Sequence, residues 1–376
     1  MGRLKAGFLL PYSGVFTSLK TDFRQGFDMA LQDKNIIVEA CVEFIQSGAR
    51  KTVEEALRKL VLFENVDLVT GVVGTKVMMQ IIPFMDAQRV PVIINNLGAD
   101  LPTGLLRSEY LFYNSLHLWK SQWVMGKWAQ KKYGGEPSIN ISLYESGYSL
   151  HECFKMGAVA AGAQTLKLNI MRNITGVADT RALVGYLRDQ QPRHAHVLLS
   201  GSEGAQFLDL FYQSGLDQTI ALSVNPFITG ESQAGEKTNN GSRYSAITWY
   251  KELPSPANRL FMQLYADDYG EQPNVFSLLG YETGLALAAA VREINEPVSK
   301  QVLAAALAKT TPEGPRGKMQ LSTCPLQTWQ PVYIQHRDDA GGCRVVGEDT
   351  GIEWNHPSQA GSVQNVSGWE NPYMCI

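Results

Sequence analysis

Val66–Asp100 reads VDLVTGVVGTKVMMQIIPFMDAQRVPVIINNLGAD, and its pattern decides the fold. A short apolar run over 66–70 predicts a buried strand, broken between Gly71 and Gly74. From Thr75 the spacing of Val77, Met78, Ile81, Ile82 and Met85 predicts a helix to about residue 87. Arg89-Val90-Pro91 then turns the chain into a second strand over 92–95. This is a βαβ unit, which in a parallel sheet crosses over right-handed and leaves its loops where small ligands bind. Gly74 and Thr75 open the helix, so free N–H groups and a hydroxyl converge on one point and suit an anion. Thr75 as a plain N-cap of a strand-to-helix turn fits the same residues.

The alternation extends in both directions. Upstream, residues 4–10 read as a strand stopped at Pro11, followed by a helix with Leu19, Phe23, Phe27, Ala30 and Leu31 on one face. A strand follows over 36–45, and Thr52 with Glu55 has the form of a capping box for the next helix. Downstream, a strand over 111–116 ends the first run. The alternation restarts at Trp119 and continues to a strand closing near Val224. A Gly/Asn-rich stretch, 230–241, leads to a strand near Ser245, then to helices over 257–269, 276–294 and 298–308. Residues 317–321 and 332–335 read as a closing strand pair. The last residues, from about 341, look like an irregular tail packed on the surface.

Two restarting βα runs predict an α/β protein with two doubly wound sheets, and 376 residues suffice for two domains. The chain is 44% hydrophobic and 18% charged with a formal net charge of −3, which offers no basic footprint for nucleic acid or an anionic membrane. No apolar stretch stands out as a bilayer span, and the first residues lead straight into a strand without a leader-like segment. The 5 cysteines lack CxxC spacing, which argues against zinc and thioredoxin-like chemistry. An enzyme is poorly supported. Ser200–Gly204 lacks the first glycine of a nucleophile elbow, and neither a GxGxxG nor a P-loop sequence occurs. His194 and His196 share a strand face without a third ligand, and read as a strand-edge pair. Cys153 sits inside a helix without an evident base.

Several segments resemble the type I periplasmic binding proteins, the branched-chain amino-acid-binding family that serves ABC transporters. KAGFLLPYSG is similar to the family's opening, and VDLVTGVVGTKVMMQIIP with RVPVIINN to its strand–loop–helix–strand segment. SLYESGYSLHECFKMGAVAAGAQTL resembles the second-domain Tyr-Gly loop and helix, and the stretch from SAITWY to LALAAAV carries further landmarks in order. GPRGKMQL is similar to a late Pro-x-Gly strand. The matches span about residues 4–335.

The resemblance implies two lobes joined by three crossovers and closing on a ligand like a hinge. The first lobe would hold 1–117 and 251–324, the second 118–250 and 325–340, with 341–376 as the tail. It implies a solute-binding protein rather than an enzyme, with no cofactor, a transporter permease as partner, and a periplasmic or lipid-anchored location. An oxidising compartment favours one disulfide among Cys324, Cys343 and Cys375, with Cys324–Cys343 preferred.

Carried onto this chain, the family's carboxylate site falls on Gly74 and Thr75. At the second position Asn96 replaces the usual hydroxyl residue. Tyr148 matches the tyrosine that closes over the ligand, or else is a partly exposed helix-start residue. Tyr12, Phe16 and Tyr250 are wall candidates. The acidic position that pairs a ligand ammonium falls near Asn225, which has no charge, leaving Glu203 as a substitute or as an ordinary helix-start acid. A ligand-sensing receptor of the same fold is the alternative role.

Overall fold

The computed structural model describes residues 3–34, 36–101, 107–174, 177–230, 241–295, 297–324, 330–349 and 368–373. The chain opens with β1 (Leu4–Leu10), α1 (Leu19–Leu31), β2 (Val38–Phe44), α2 (Arg50–Arg58), β3 (Leu68–Val72), α3 (Thr75–Gln88), β4 (Val92–Asn96) and β5 (Leu111–Ser115). These strands form one parallel sheet in the order β2-β1-β3-β4-β5. The sheet is covered on both faces, so β3, β4 and even the edge strand β5 are buried at every residue instead of alternating. The Val66–Asp100 unit forms as its pattern predicts. Its helix ends at Arg89 in the left-handed conformation, before the strand that Pro91 introduces.

The second run contains α4 (Leu118–Tyr133), β6 (Ser138–Ile141), α5 (Leu150–Ala160), β7 (Lys167–Ile170), the small pair β8 (Asn173–Ile174) and β9 (Val177–Ala178), and α6 (Thr180–Gln190). β10 (His194–Leu198), α7 (Gly201–Gln213), β11 (Ala221–Val224) and β12 (Arg243–Ile247) complete it. The chain then returns with α8 (Pro256–Tyr269), α9 (Val275–Glu293), α10 (Lys300–Leu307), β13 (Glu313–Gly314) and β14 (Gly317–Lys318). It finishes in β15 (Val332–Arg337) and β16 (Cys343–Asp349). The second sheet runs β16-β15-β12-β11-β10-β6-β7, in which β15 alone runs antiparallel to its two neighbours. Both sheets therefore reverse strand order beside their first strand, between β1 and β3 and between β6 and β10. Open α/β sheets bind ligands at such switch points.

Each lobe is clamped by a helix pair in backbone contact. A Cβ at Gly26 of α1 would lie 2.0 Å from the Ser277 carbonyl of α9, and one at Gly280 2.0 Å from that of Phe23. In the second lobe Gly126 of α4 and Gly157 of α5 do the same, at 2.0 and 1.9 Å from the carbonyls of Phe154 and Trp123. α9 is begun by a capping box between Asn274 and Ser277. It is also long and apolar enough to cross a membrane by composition, contrary to the sequence reading, but 78% of its apolar window is buried. It is the core helix of the first lobe.

Several expectations need correction. α2 begins at Arg50 without a side-chain cap, so Thr52 lies inside the helix and the Thr52/Glu55 box does not form. The expected closing pair does not exist: β14 pairs with β13, while β15 joins β12. Residues 343–349, assigned to an irregular tail, form an edge strand of the second sheet, which no strong alternation betrays. Cys324 and Cys343 are free thiols. Cys324 follows the bridge from Ser322 to Tyr113 beside the first sheet, whereas Cys343 begins the edge strand of the second, and the favoured disulfide is not formed. Cys375 and the 231–240 stretch lie outside the described residues.

Candidate functional site

The loops leaving the two switch points face each other. On the first lobe, β3 ends in Val73-Gly74 and α3 starts at Thr75, whose hydroxyl is buried and fixed. Asn96, the last residue of β4, donates its amide to the Val73 carbonyl and to Thr75 Oγ1, both at 3.1 Å. Ser115 Oγ in turn donates to Asn96 Oδ1 at 2.9 Å. Both Asn96 amide hydrogens are thus spent on shaping the loop, and Asn96 orients Thr75 instead of reaching across the cleft. The start of α3 adds N–H groups that no earlier turn can satisfy. Lys76 pairs with Asp100 at 3.3 Å on the same rim.

On the second lobe, Tyr148 is buried and its hydroxyl lies 3.1 Å from that of Tyr144. Between them Glu145 is buried and accepts from Ser200 Oγ, at the end of β10. Burial pushes the Glu145 carboxyl up to about 7, and the charge of Glu203 adds to the rise. Phe16 seals the lobes, edge-on to Phe227 at 5.6 Å and to Phe276 at 4.9 Å. The Ser149 N–H donates across the cleft to the Ala99 carbonyl at 3.2 Å.

Other sequence candidates stand elsewhere. Glu203, in the first turn of α7, accepts from the Ala178 N–H at 2.7 Å and braces β9. Asn225 is buried, donating to the Leu199 carbonyl and accepting from the Phe227 N–H at 2.7 Å. Tyr12 is 63% exposed. Tyr250 packs edge-on to Tyr333 of β15 at 5.2 Å, beside the antiparallel edge of the second sheet. His194 and His196 are no strand-edge pair: both are buried on an interior strand and bond the one Ser223 hydroxyl at 2.8 Å. Burial drives His194 down to about 3, and among the described residues no metal-binding cluster occurs.

The sequence reading missed the residues that fill the cleft. The segment 368–373 lies between the lobes. Asn371 donates to the hydroxyls of Tyr144 and Tyr148, at 2.9 and 3.1 Å, and Trp369 Nε1 donates to the Tyr144 carbonyl at 3.0 Å. From the first lobe the Arg50 N–H donates to Glu370 at 2.9 Å, and Lys76 reaches the Trp369 carbonyl at 3.3 Å. Tyr373 is buried, edge-on to Tyr148 at 5.0 Å, and burial with the neighbouring Glu145 holds its phenol protonated. Glu145 was also missed, although Tyr144-Glu145-Ser146-Gly147-Tyr148 places a carboxylate between two aromatics.

A model of the family described as periplasmic binding protein matches residues 3–342. Among solved structures, the chain is similar to an ABC-transporter solute-binding protein from R. palustris in complex with benzoate. The two are 22% identical, with a TM-score of 0.77, over 92% of this chain and 96% of that one. It is similar to a substrate-binding protein from Sphaerobacter thermophilus, 19% identical, TM-score 0.79, over 93% and 98%. A leucine binding protein from Thermotoga maritima gives 17% identity and a TM-score of 0.71, over 92% and 98%. No curated protein matches the chain by sequence. The type I fold, with two lobes about a central cleft, is thus established. Because the family model runs through both lobes and both switch-point loops, the chain belongs to the periplasmic binding proteins, extracytoplasmic solute receptors rather than enzymes, which work with ABC transporter permeases.

Proposed function

We propose that the chain captures a small carboxylate-bearing solute between its lobes and presents it to a transporter permease. The observation that carries this reading is the first-lobe corner at Gly74–Thr75. There a helix start and a hydroxyl held in place by Asn96 stand on one side of the 368–373 segment, whose Asn371 meets the phenols of Tyr144 and Tyr148 on the other. Helix-start donors favour an anion without burying an unpaired cation. The aromatic second-lobe wall supports an aromatic or aliphatic acid over an α-amino acid. The acidic position near Asn225 is neutral, Glu203 is engaged by Ala178, and Glu145 is held protonated toward neutrality. The structural neighbour that holds benzoate is consistent with that class.

In this reading the first lobe comprises 1–117 with 251–324, and the second 118–250 with 325–340, now extended through Asp349. The location is periplasmic or lipid-anchored outside the cytoplasm, and the amino-acid ligand of the sequence reading becomes the second choice. Mass spectrometry of the denatured, freshly purified protein should reveal a bound organic acid. Calorimetry with a panel of aliphatic, aromatic and amino acids would then rank them. A panel in which only cationic or uncharged solutes bind would sink the proposal.

A further inference from the structure

Residues 368–373 occupy the cleft with the attributes of a ligand. They touch both lobes, and the contacts come from the loops at both switch points. The main chain passes so close to the first lobe that a Cβ at Gly74 would lie 2.5 Å from the Glu370 carbonyl. One at Gly48 would lie 2.8 Å from the Pro372 ring, and one at Gly147 1.2 Å from Trp369. Three loops that the segment crosses therefore carry glycine where any side chain would obstruct it. Asn371, Pro372 and Tyr373 are buried, although they belong to the far end of the chain. The Asn371 amide meets both second-lobe phenols, and the Tyr373 ring enters deepest, against Tyr148, with its hydroxyl toward Glu145 and Ser200.

We infer that the cleft is a binding site for the chain's own C-terminal segment, with Trp369–Tyr373 acting as a tethered peptide ligand that an incoming solute must displace. This rests on the cleft being the solute site. The place of the Tyr373 ring, edge-on to Tyr148, also defines the competitor: a flat ring against Tyr148 with a polar end reaching Gly74–Thr75. A segment tethered beside its own site acts at an effective concentration on the order of millimolar. With an intrinsic Kd of about 10 μM it would be docked roughly 100 times as often as not, and would weaken a competing solute about 100-fold.

The test uses the full chain. Trp369→Ala, Asn371→Ala and Tyr373→Ala are combined to empty the cleft, and a synthetic peptide of residues 368–373 is titrated by calorimetry into this variant and the parent. The expected result is one peptide per variant chain, with binding to the parent at least tenfold weaker. Adding Gly74→Val to the variant should abolish peptide binding while its circular dichroism stays unchanged. Benzoate and 4-hydroxybenzoate are titrated in parallel as probes of the solute site, and should bind the variant more tightly than the parent. Peptide that binds neither chain, or both alike, overturns the inference; if the acids bind nonetheless, the solute reading stands alone. Peptide binding without acid binding keeps the tethered ligand and removes the aromatic acids as its competitors.

Discussion

Replacing Arg316 with methionine should remove a large share of the first lobe's stability. Arg316 lies between β13 and β14, and its side chain is 1% exposed, against a Glu282 carboxylate that is 0% exposed. Its guanidinium donates from Nε to Glu282 Oε1 at 2.9 Å and from Nη2 to Oε2 at 2.5 Å. Two further donations at 2.8 Å reach the Ser115 carbonyl and Asn114 Oδ1, at the end of β5. Methionine keeps the apolar stem but strands a carboxylate in a dry site, which costs about 3–5 kcal/mol. Adding Glu282→Gln removes that charge, so the double variant should lose only about 1–3 kcal/mol, from the carbonyl and amide oxygens left without donors. The two substitutions should therefore couple by about 2 kcal/mol, far from additive. Urea unfolding of parent, single and double variants, followed by circular dichroism and tryptophan fluorescence, measures the cycle. An Arg316→Met loss below about 1 kcal/mol, or a double variant as unstable as the sum, would refute the argument.

Thr75→Ala and Tyr148→Phe should each weaken binding of the true solute, by about ten- to a hundredfold for the contact to a charged group, and should cost the unliganded chain about 1–3 kcal/mol, because Asn96 and Asn371 lose a buried acceptor. Calorimetry showing both unchanged would mean the site lies elsewhere. Gly26→Ala should cost about 1–3 kcal/mol or more, since its Cβ has no room before the Ser277 carbonyl. Gly185→Ala, on α6 with nothing within 4 Å, should instead be neutral or slightly stabilising; equal losses in thermal melts would contradict both. Glu145 supplies a pH dependence. Burial raises its carboxyl from 4.5 to about 7, so between those values the folded chain holds a proton that the unfolded chain has released. Its contribution is therefore most favourable below about pH 4.5, falls as pH rises, and levels off above 7; Ser200, Tyr373 and Glu203 are the groups around it. Glu145→Gln should flatten that slope in urea titrations from pH 5 to 8, and an unchanged slope would sink the assignment.

The βα periodicity was legible because each buried strand and amphipathic helix declares itself within ten or fifteen residues. Hence the two sheets and the strand–loop–helix corner at Gly74–Thr75 could be read from the pattern, whereas the return of α8–α10 to the first lobe followed only from the family resemblance. The missed features depend on partners far away in the chain. β16 is an edge strand with mostly exposed residues, so it lacks a one-sided apolar pattern. The contact between Arg50 and Glu370 spans 320 residues, and nothing local in Trp369–Tyr373 distinguishes a docked segment from a polar tail. Asn96 stands beside the corner, but what it does there depends on Ser115, which commits its oxygen and leaves its amide to the loop. The histidine pair misled because alternation says which face a residue takes, not whether its strand lies at an edge.

The reciprocal glycines of α1 with α9, and of α4 with α5, have a mechanical consequence. Helices that meet backbone to backbone have no layer of soft side chains to shear, so each half of the protein behaves as a stiff jaw. Compliance then falls to the segments that carry the chain from one sheet to the other, at 116–118 and 248–250 among the described residues. One of these is already latched where Thr248 Oγ1 donates to the Leu116 carbonyl at 3.0 Å. A caliper built this way converts whatever sits near its pivot into a change of span at its tips. If the proposed solute closes the jaws, their outer faces, far from the cleft, are where its presence would be displayed.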